Sequence, residues 1–130
     1  MIDHTGILVS SLETSKAFYE KALEPLGYGI VKEYPDGVGF GPPDPGEGDP
    51  GGGFWIIQGN PQVPRTHIAF RAVGTAAVDV FHAAALAAGG RDNGAPGLRP
   101  QYHARYYAAF VLDPDGYNIE AVYHGADAPA

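Results

Sequence analysis

Residues 4–27 read HTGILVSSLETSKAFYEKALEPLG, and residues 67–90 read HIAFRAVGTAAVDVFHAAALAAGG. Each segment opens on a histidine, runs through a short apolar stretch, passes into a helical pattern and stops at glycine. Laid over one another at an offset of 63, Phe81 falls on Phe18, Ala85 on Ala22, Leu86 on Leu23, Gly90 on Gly27 and His82 on Tyr19. Elements coincide as well as identities, so the chain reads as a duplicated strand–helix–strands unit.

Working outward, residues 4–9 predict a strand, and Ser10 with Glu13 has the spacing of a capping box. A helix is expected over 12–24, with Ser15, Phe18, Tyr19, Ala22 and Leu23 on its apolar face, ended by Pro25 and Gly27. Strands follow over 28–34 and 38–41 around the turn Pro35-Asp36-Gly37, then over 54–58. The stretch 42–53, PPDPGEGDPGGG, predicts a flexible loop. The second unit repeats the grammar: a strand over 66–72, then a helix from Gly74 or Thr75 to 88 with Val78, Phe81, His82, Ala85 and Leu86 buried. Residues 91–101 read as loop, 102–112 as one long strand or two short ones, Asp113-Pro114-Asp115-Gly116 as a tight turn and 117–123 as the last strand. One domain over 1–125 results, in units of about 1–60 and 64–124, with 126–130 a frayed tail.

Composition narrows the chemistry. With 130 residues, 45% of them apolar, the chain holds one domain with a real core. Its 19 glycines and 12 prolines suit many turns between short elements. No cysteine is present, which excludes a disulfide scaffold, a thiolate metal site and a cysteine nucleophile. A metal here must be held by imidazole and carboxylate, and there are five histidines. A net charge of −7 disfavours nucleic-acid phosphates as partners. No apolar run approaches the roughly 20 residues of a membrane span, and no basic amphipathic or signal-like stretch appears, so the expected location is the cytoplasm.

The repeat has a chemical consequence. His4 and His67 begin equivalent strands, and pseudo-twofold packing brings them to equivalent places about one axis. Glu120 stands in an apolar strand, Ile119-Glu120-Ala121-Val122, where an ionised carboxylate is costly unless paired or bound to a cation. Its mate at the same offset is Ile57, next to Gln58, so the first unit lacks the matching carboxylate. His103 is a candidate general base. Tyr106 and Tyr107 point to opposite faces if both lie in one strand, so one faces a pocket. Trp55, Gln58 and Tyr106 are the candidate substrate contacts, and His103 with Tyr107 the candidate proton-transfer pair. His82 reads as a core or helix–sheet residue, and His124 sits too near the tail to be given a role. Arg65, Arg99 and Arg105 are available to an anionic substrate in an otherwise acidic chain. Gly51-Gly52-Gly53 lacks the Lys-Ser/Thr ending of a phosphate loop.

Four segments together carry a family resemblance: HTGILVS at 4–10, SKAFYEKAL at 15–23, THIAFR at 66–71 and DPDGYNIE at 113–120. The chain resembles the vicinal oxygen chelate superfamily, which groups glyoxalases, bleomycin-resistance proteins and dioxygenases. The resemblance implies an α+β fold of two tandem βαβββ units forming a cupped, half-barrel mixed sheet. It also implies a divalent metal (iron, manganese, nickel or zinc), a small oxygen-chelating substrate and a homodimer. The family's ligand positions map onto His4, His67 and Glu120, within one chain or across a dimer. Glutathione-dependent glyoxalase I adds a carboxylate on the fourth strand of the first unit, and the segment Phe54-Trp55-Ile56-Ile57-Gln58 has none. The expectation is therefore a metal-dependent lyase, isomerase or dioxygenase other than a standard glyoxalase I. The alternative is a metal-free binding protein of the bleomycin-resistance kind.

Overall fold

The computed structural model describes residues 1–125, so the expected frayed tail at 126–130 lies outside the described residues. The first unit comprises β1 (Thr5–Val9), α1 (Leu12–Ala22), β2 (Gly29–Tyr34), β3 (Gly37–Gly41) and β4 (Phe54–Gln58). The second comprises β5 (His67–Arg71), α2 (Thr75–Ala87), β6 (Arg91–Leu98), β7 (Tyr107–Leu112) and β8 (Asn118–Tyr123). Each unit builds one open four-stranded mixed sheet, in the orders β1-β4-β3-β2 and β5-β8-β7-β6. The two orders are the same pattern, with the first and last strands of each unit paired in parallel. The fold is thus the α+β architecture of two tandem βαβββ units.

The core lies on the helix side of both sheets. Ile7, Val9, Val38, Phe40, Phe54 and Ile56 of the first sheet pack with Phe70, Val111, Ile119 and Ala121 of the second. The helices contribute the expected stripes, with Phe18, Tyr19 and Ala22 buried on α1 and Val78, Phe81 and Ala85 on α2. Aromatic edges cross between the units: Phe54 meets Phe70 at 5.2 Å and Tyr28 meets Phe70 at 5.8 Å, both close to perpendicular. Such pairs add about 0.5–1.5 kcal/mol each beyond the area they bury.

Five details depart from the sequence reading. The cap of α1 is Ser11, whose hydroxyl accepts from Thr14 N at 3.3 Å; Ser10 turns away to Asp115. The helix ends at Ala22, because Pro25 converts the next turn to a 3-10 turn, Glu24–Leu26, closed by Gly27 at φ 82°. Residues 91–98 are a strand, β6, where loop was expected. Its Gly and Pro residues are tolerated because it is a sheet edge, and its register breaks at Asp92/Gly94 and Gly94/Gly97. Only Tyr107 onward is strand in the segment 102–112. On α2, Leu86 is exposed, and His82 is half-buried and takes the helix–sheet place, bonded to Asp92 Oδ1 of β6 at 2.9 Å, rather than a fully buried one.

A buried polar lock joins the units. The Asp113 carboxylate, 2% exposed, accepts the Tyr19 hydroxyl at 2.5 Å and the backbone N–H groups of Asp115 and Tyr117 at 2.9 Å. Burial pushes the Asp113 carboxyl above the usual aspartate range, only partly offset by the Tyr19 hydrogen bond. The folded chain therefore holds this proton more firmly than the unfolded chain. That contribution to stability is full below the ordinary aspartate value and is lost as pH rises through the folded one. Chemical denaturation of wild type and Asp113→Asn across pH checks this. From about pH 4 up to the raised folded value, the stability difference should move in favour of the Asn variant and then level off; a pH-independent difference contradicts the assignment.

Candidate functional site

Strand parity builds the site. In the second sheet, Ile68, Phe70, Ile119, Ala121, Ala109 and Val111 face the helices. Side chains alternate along a strand, so His67, Ala69, Asn118, Glu120 and Phe110 share the other face. The registers His67↔Asn118, Ala69↔Glu120 and Phe110↔Glu120 place them side by side.

His67 Nε2 lies 2.9 Å from Glu120 Oε1, and His67 Nδ1 lies 2.9 Å from the Asn118 carbonyl oxygen. A carbonyl only accepts, so Nδ1 carries the hydrogen. In the neutral ring, the lone pair of Nε2 then points at a carboxylate oxygen. Two acceptors at that separation need a proton or a cation between them. Glu120 is 2% exposed while the His67 side chain is 46% exposed, so the pair opens to solvent through the imidazole. The other carboxylate oxygen, Oε2, accepts a short hydrogen bond from the Tyr106 hydroxyl. Burial first, and that hydrogen bond second, hold the phenol well above its usual range, so it stays a donor.

Tyr106 ends the hairpin between β6 and β7, closed by Arg99 N donating to Tyr106 O at 2.7 Å. Its neighbour Tyr107 faces the other way, and its hydroxyl donates to Asp79 of α2 at 2.7 Å. His103 reaches the site through Tyr106, whose ring it meets edge-on at 5.4 Å. His103 Nδ1 accepts from Arg105 N at 3.1 Å, so its Nε2–H donates to His124 Nδ1 at 2.9 Å. Both imidazoles pack on Tyr106. Glu120, Val122 and His124 share one parity on β8 and its extension, and that alternation was the signal that could have found His124.

His4 lies at the head of β1 with different neighbours. Its Nδ1 is 2.6 Å from Asp3 Oδ1, and this hydrogen bond raises the imidazole pKa above its ordinary value. Asp3, His4 and Asp49 bring ligand atoms within 4.8 Å of one another, all three exposed. Among the described residues this is the one group of three such side chains so close, so His4 does not converge with His67 and Glu120 inside a single chain. Ile57, the repeat mate of Glu120, is exposed on the first sheet.

Trp55 and Gln58 also belong to the first unit. Trp55 stacks on Tyr34 at 5.9 Å and donates Nε1–H to Gly52 O at 3.2 Å. It lines a groove of about 470 Å³ with Asp49 and Gly51. A Cβ on Gly39 would meet Gly51 O at 2.1 Å and the indole at 2.7 Å, so glycine there is what lets the 42–53 loop and Trp55 lie on β3. Gln58 spends its amide on backbone: Oε1 accepts from Leu12 N and Nε2 donates to Ser10 O, both at 2.8 Å. It staples β4 to the start of α1.

Comparison with known proteins agrees with this architecture. The family model described as the Glyoxalase/Bleomycin resistance protein/Dioxygenase superfamily matches residues 1–121, and the chain belongs to that family. A crystal structure of a glyoxalase/bleomycin resistance protein from Albidiferax ferrireducens T118 is 28% identical, with a TM-score of 0.77 over 95% of this chain and 98% of that one. A lactoylglutathione lyase from Agrobacterium tumefaciens shares the fold at 18% identity, with a TM-score of 0.66 over 95% of this chain and 92% of that one. A glyoxalase/bleomycin resistance protein/dioxygenase family enzyme from Burkholderia phytofirmans PsJN does so at 17% identity, with a TM-score of 0.71 over 95% and 98%. Among curated proteins, none matches the chain. Among the described residues, no helix is long and apolar enough to cross a membrane.

The two adjacent tyrosines test the face assignment. Tyr106→Phe removes a donor from a buried carboxylate and should cost about 1–3 kcal/mol. Tyr107→Phe removes an exposed contact and should stay within about 0.5 kcal/mol of wild type. Equilibrium urea denaturation of both variants should give this order; the reverse order contradicts the assignment.

Proposed function

We propose that the chain is a metal-dependent enzyme of its superfamily, with His67 and Glu120 as ligands in one protomer and His4 supplied by a second copy. The observation that carries this reading is the matched anchoring of the two histidines. His67 Nδ1 is fixed by the Asn118 carbonyl, and His4 Nδ1 by the Asp3 carboxylate. Metal-ligating histidines are oriented in this way, through the far ring nitrogen, so that Nε2 is presented as a lone pair. The donor set of imidazole and carboxylate accepts iron, manganese, nickel or zinc.

A divalent cation held by these residues would supply Lewis acidity toward the vicinal oxygens of a small substrate. The chain's own residues do the rest. Glu120 brings a buried negative charge whose orientation Tyr106 fixes through Oε2. Asn118 holds the His67 ring in one tautomer. The His103–His124 pair, packed on Tyr106, is the adjacent group able to hold a proton, with His103 Nε2–H donating to His124 Nδ1. The exposed edge of His67 is the side from which a substrate enters. A lyase, isomerase or dioxygenase step is compatible with these groups. Asp49, beside His4, is a carboxylate that β4 does not provide.

Metal titration and elemental analysis of an untagged chain test the reading. Wild type should bind one divalent ion per protomer, and His67→Ala and His4→Ala should each lose it. Mixing the two variants after unfolding and refolding should restore about a quarter of the wild-type sites, because half of the dimers are mixed and each holds one intact site. Sub-stoichiometric metal in wild type, unchanged by His67→Ala, contradicts the proposal and favours a metal-free binding protein. Loss on both single variants with no restoration on mixing places His4 with its own chain's site.

A further inference from the structure

We infer that Arg99 is the anion-recognising residue of the candidate site, and that the ligand is a small molecule bearing a carboxylate. The inference rests on the reading that His67 and Glu120 take part in chelation, but its own evidence is separate.

Arg99 is half-buried at the start of the hairpin that carries His103 and Tyr106. Its guanidinium lies over the Phe110 ring, 5.4 Å from the centroid, and His67 stacks against the same ring at 6.2 Å. Phe110 is the register partner of Glu120, so the guanidinium sits on the face that holds His67 and Glu120.

The seat for the guanidinium is built into β6. Nη1 donates to Gly97 O at 2.8 Å and Nη2 to Ala95 O at 2.7 Å. A Cβ on Gly94 would stand 3.2 Å from Nη2 and 2.9 Å from Phe110 Cδ1, and one on Gly97 would stand 3.3 Å from Nη1. These two glycines, which break the register of β6, are therefore what give Arg99 and Phe110 their room. Both hydrogen-bond partners are neutral carbonyls. No carboxylate lies within ion-pairing distance of Arg99 among the described residues, although the chain carries 15 acidic residues against eight basic ones. A guanidinium presents five N–H donors in a fixed fork. Two are used, and an ordered cation with unspent donors is a receptor for a planar anion. The other two candidate arginines differ. Arg65 is tied to Asp115 O and Gln62 O under the turn at 113–116, and Arg105 is exposed.

Calorimetry on the zinc-loaded full chain, with 3,4-dihydroxybenzoate and catechol as probes, isolates the carboxylate, since both carry the same vicinal oxygens. Wild type should prefer the benzoate by about tenfold to a hundredfold, the range of one charge-assisted bidentate contact. Arg99→Gln should bring the two within about twofold while leaving zinc affinity and thermal midpoint near wild type, and Arg99→Lys should keep part of the preference. Equal binding of the two probes by wild type overturns the inference, as does a preference that survives in Arg99→Gln. If Arg99→Gln does not fold, the wild-type comparison and the Arg99 Nε–H resonance decide. If zinc does not bind at all, the reading under Proposed function fails. Benzoate titrated into the metal-free chain then decides Arg99, by movement or constancy of that resonance.

Discussion

The architecture depends on one buried carboxylate. Asp113 sits between the first unit's helix and the second unit's last turn, and it is satisfied by both: the Tyr19 hydroxyl from α1, and the backbone of Asp115 and Tyr117 from its own turn. An Asp in the protein interior is tolerable only when its lone pairs are filled. Here filling them fixes where α1 lies against the Asp-Pro-Asp-Gly turn. The same turn is gripped from outside, because Asp115 accepts from the backbone N and hydroxyl of Ser10 and its carbonyl accepts from Arg65. Gly116, at φ 89°, makes the reversal that side-chain-bearing residues resist. Tyr117, completely buried, then ties the turn to Leu8 O and Gln62.

What that lock positions is β8. The strand leaves the turn with its parity set, so Ile119 and Ala121 enter the core and Glu120 faces away from it beside β5. A slip of one residue would exchange these faces, burying the carboxylate among aromatics and removing it from His67. The duplicated fold therefore yields an unduplicated site. Both units present a histidine anchored through Nδ1, but only the second has a carboxylate on its last strand, with Ile57 holding the equivalent place in the first. Belonging to the superfamily fixes the scaffold, and on the proposed reading the asymmetry between Ile57 and Glu120 decides which sheet carries the chemistry.

Much of this was readable from residue patterns, for physical reasons that differ from place to place. The helices and the β1, β4, β5 and β8 strands were legible because apolar periodicity marks their buried faces, and Glu120 was conspicuous because a charge in such a strand must be answered. The β6 strand was hidden by its own composition. RDNGAPGL lacks apolar alternation because an edge strand with broken register has little to bury, although the offset of 63 carries β2 onto 92–97, nearly its full extent. The roles of Tyr106 and Tyr107 hung on where β7 begins, and a shift of one residue in that boundary decides which phenol meets Glu120. Gln58 and Arg99 were opaque for another reason. Each is defined by backbone carbonyls and N–H groups that only the folded hairpins bring together.

On the proposed reading, the acceptor pair His67 Nε2 and Glu120 Oε1 is the seat of a cation completed by another copy. Crystals of the full chain grown with manganese, with data collected near the manganese absorption edge, test it most directly. One strong anomalous peak per protomer is expected, bonded to His67 Nε2, Glu120 and the Nε2 of His4 from the adjoining copy. Absence of that peak, with His67 protonated at both nitrogens and simply ion-paired to Glu120, would contradict it.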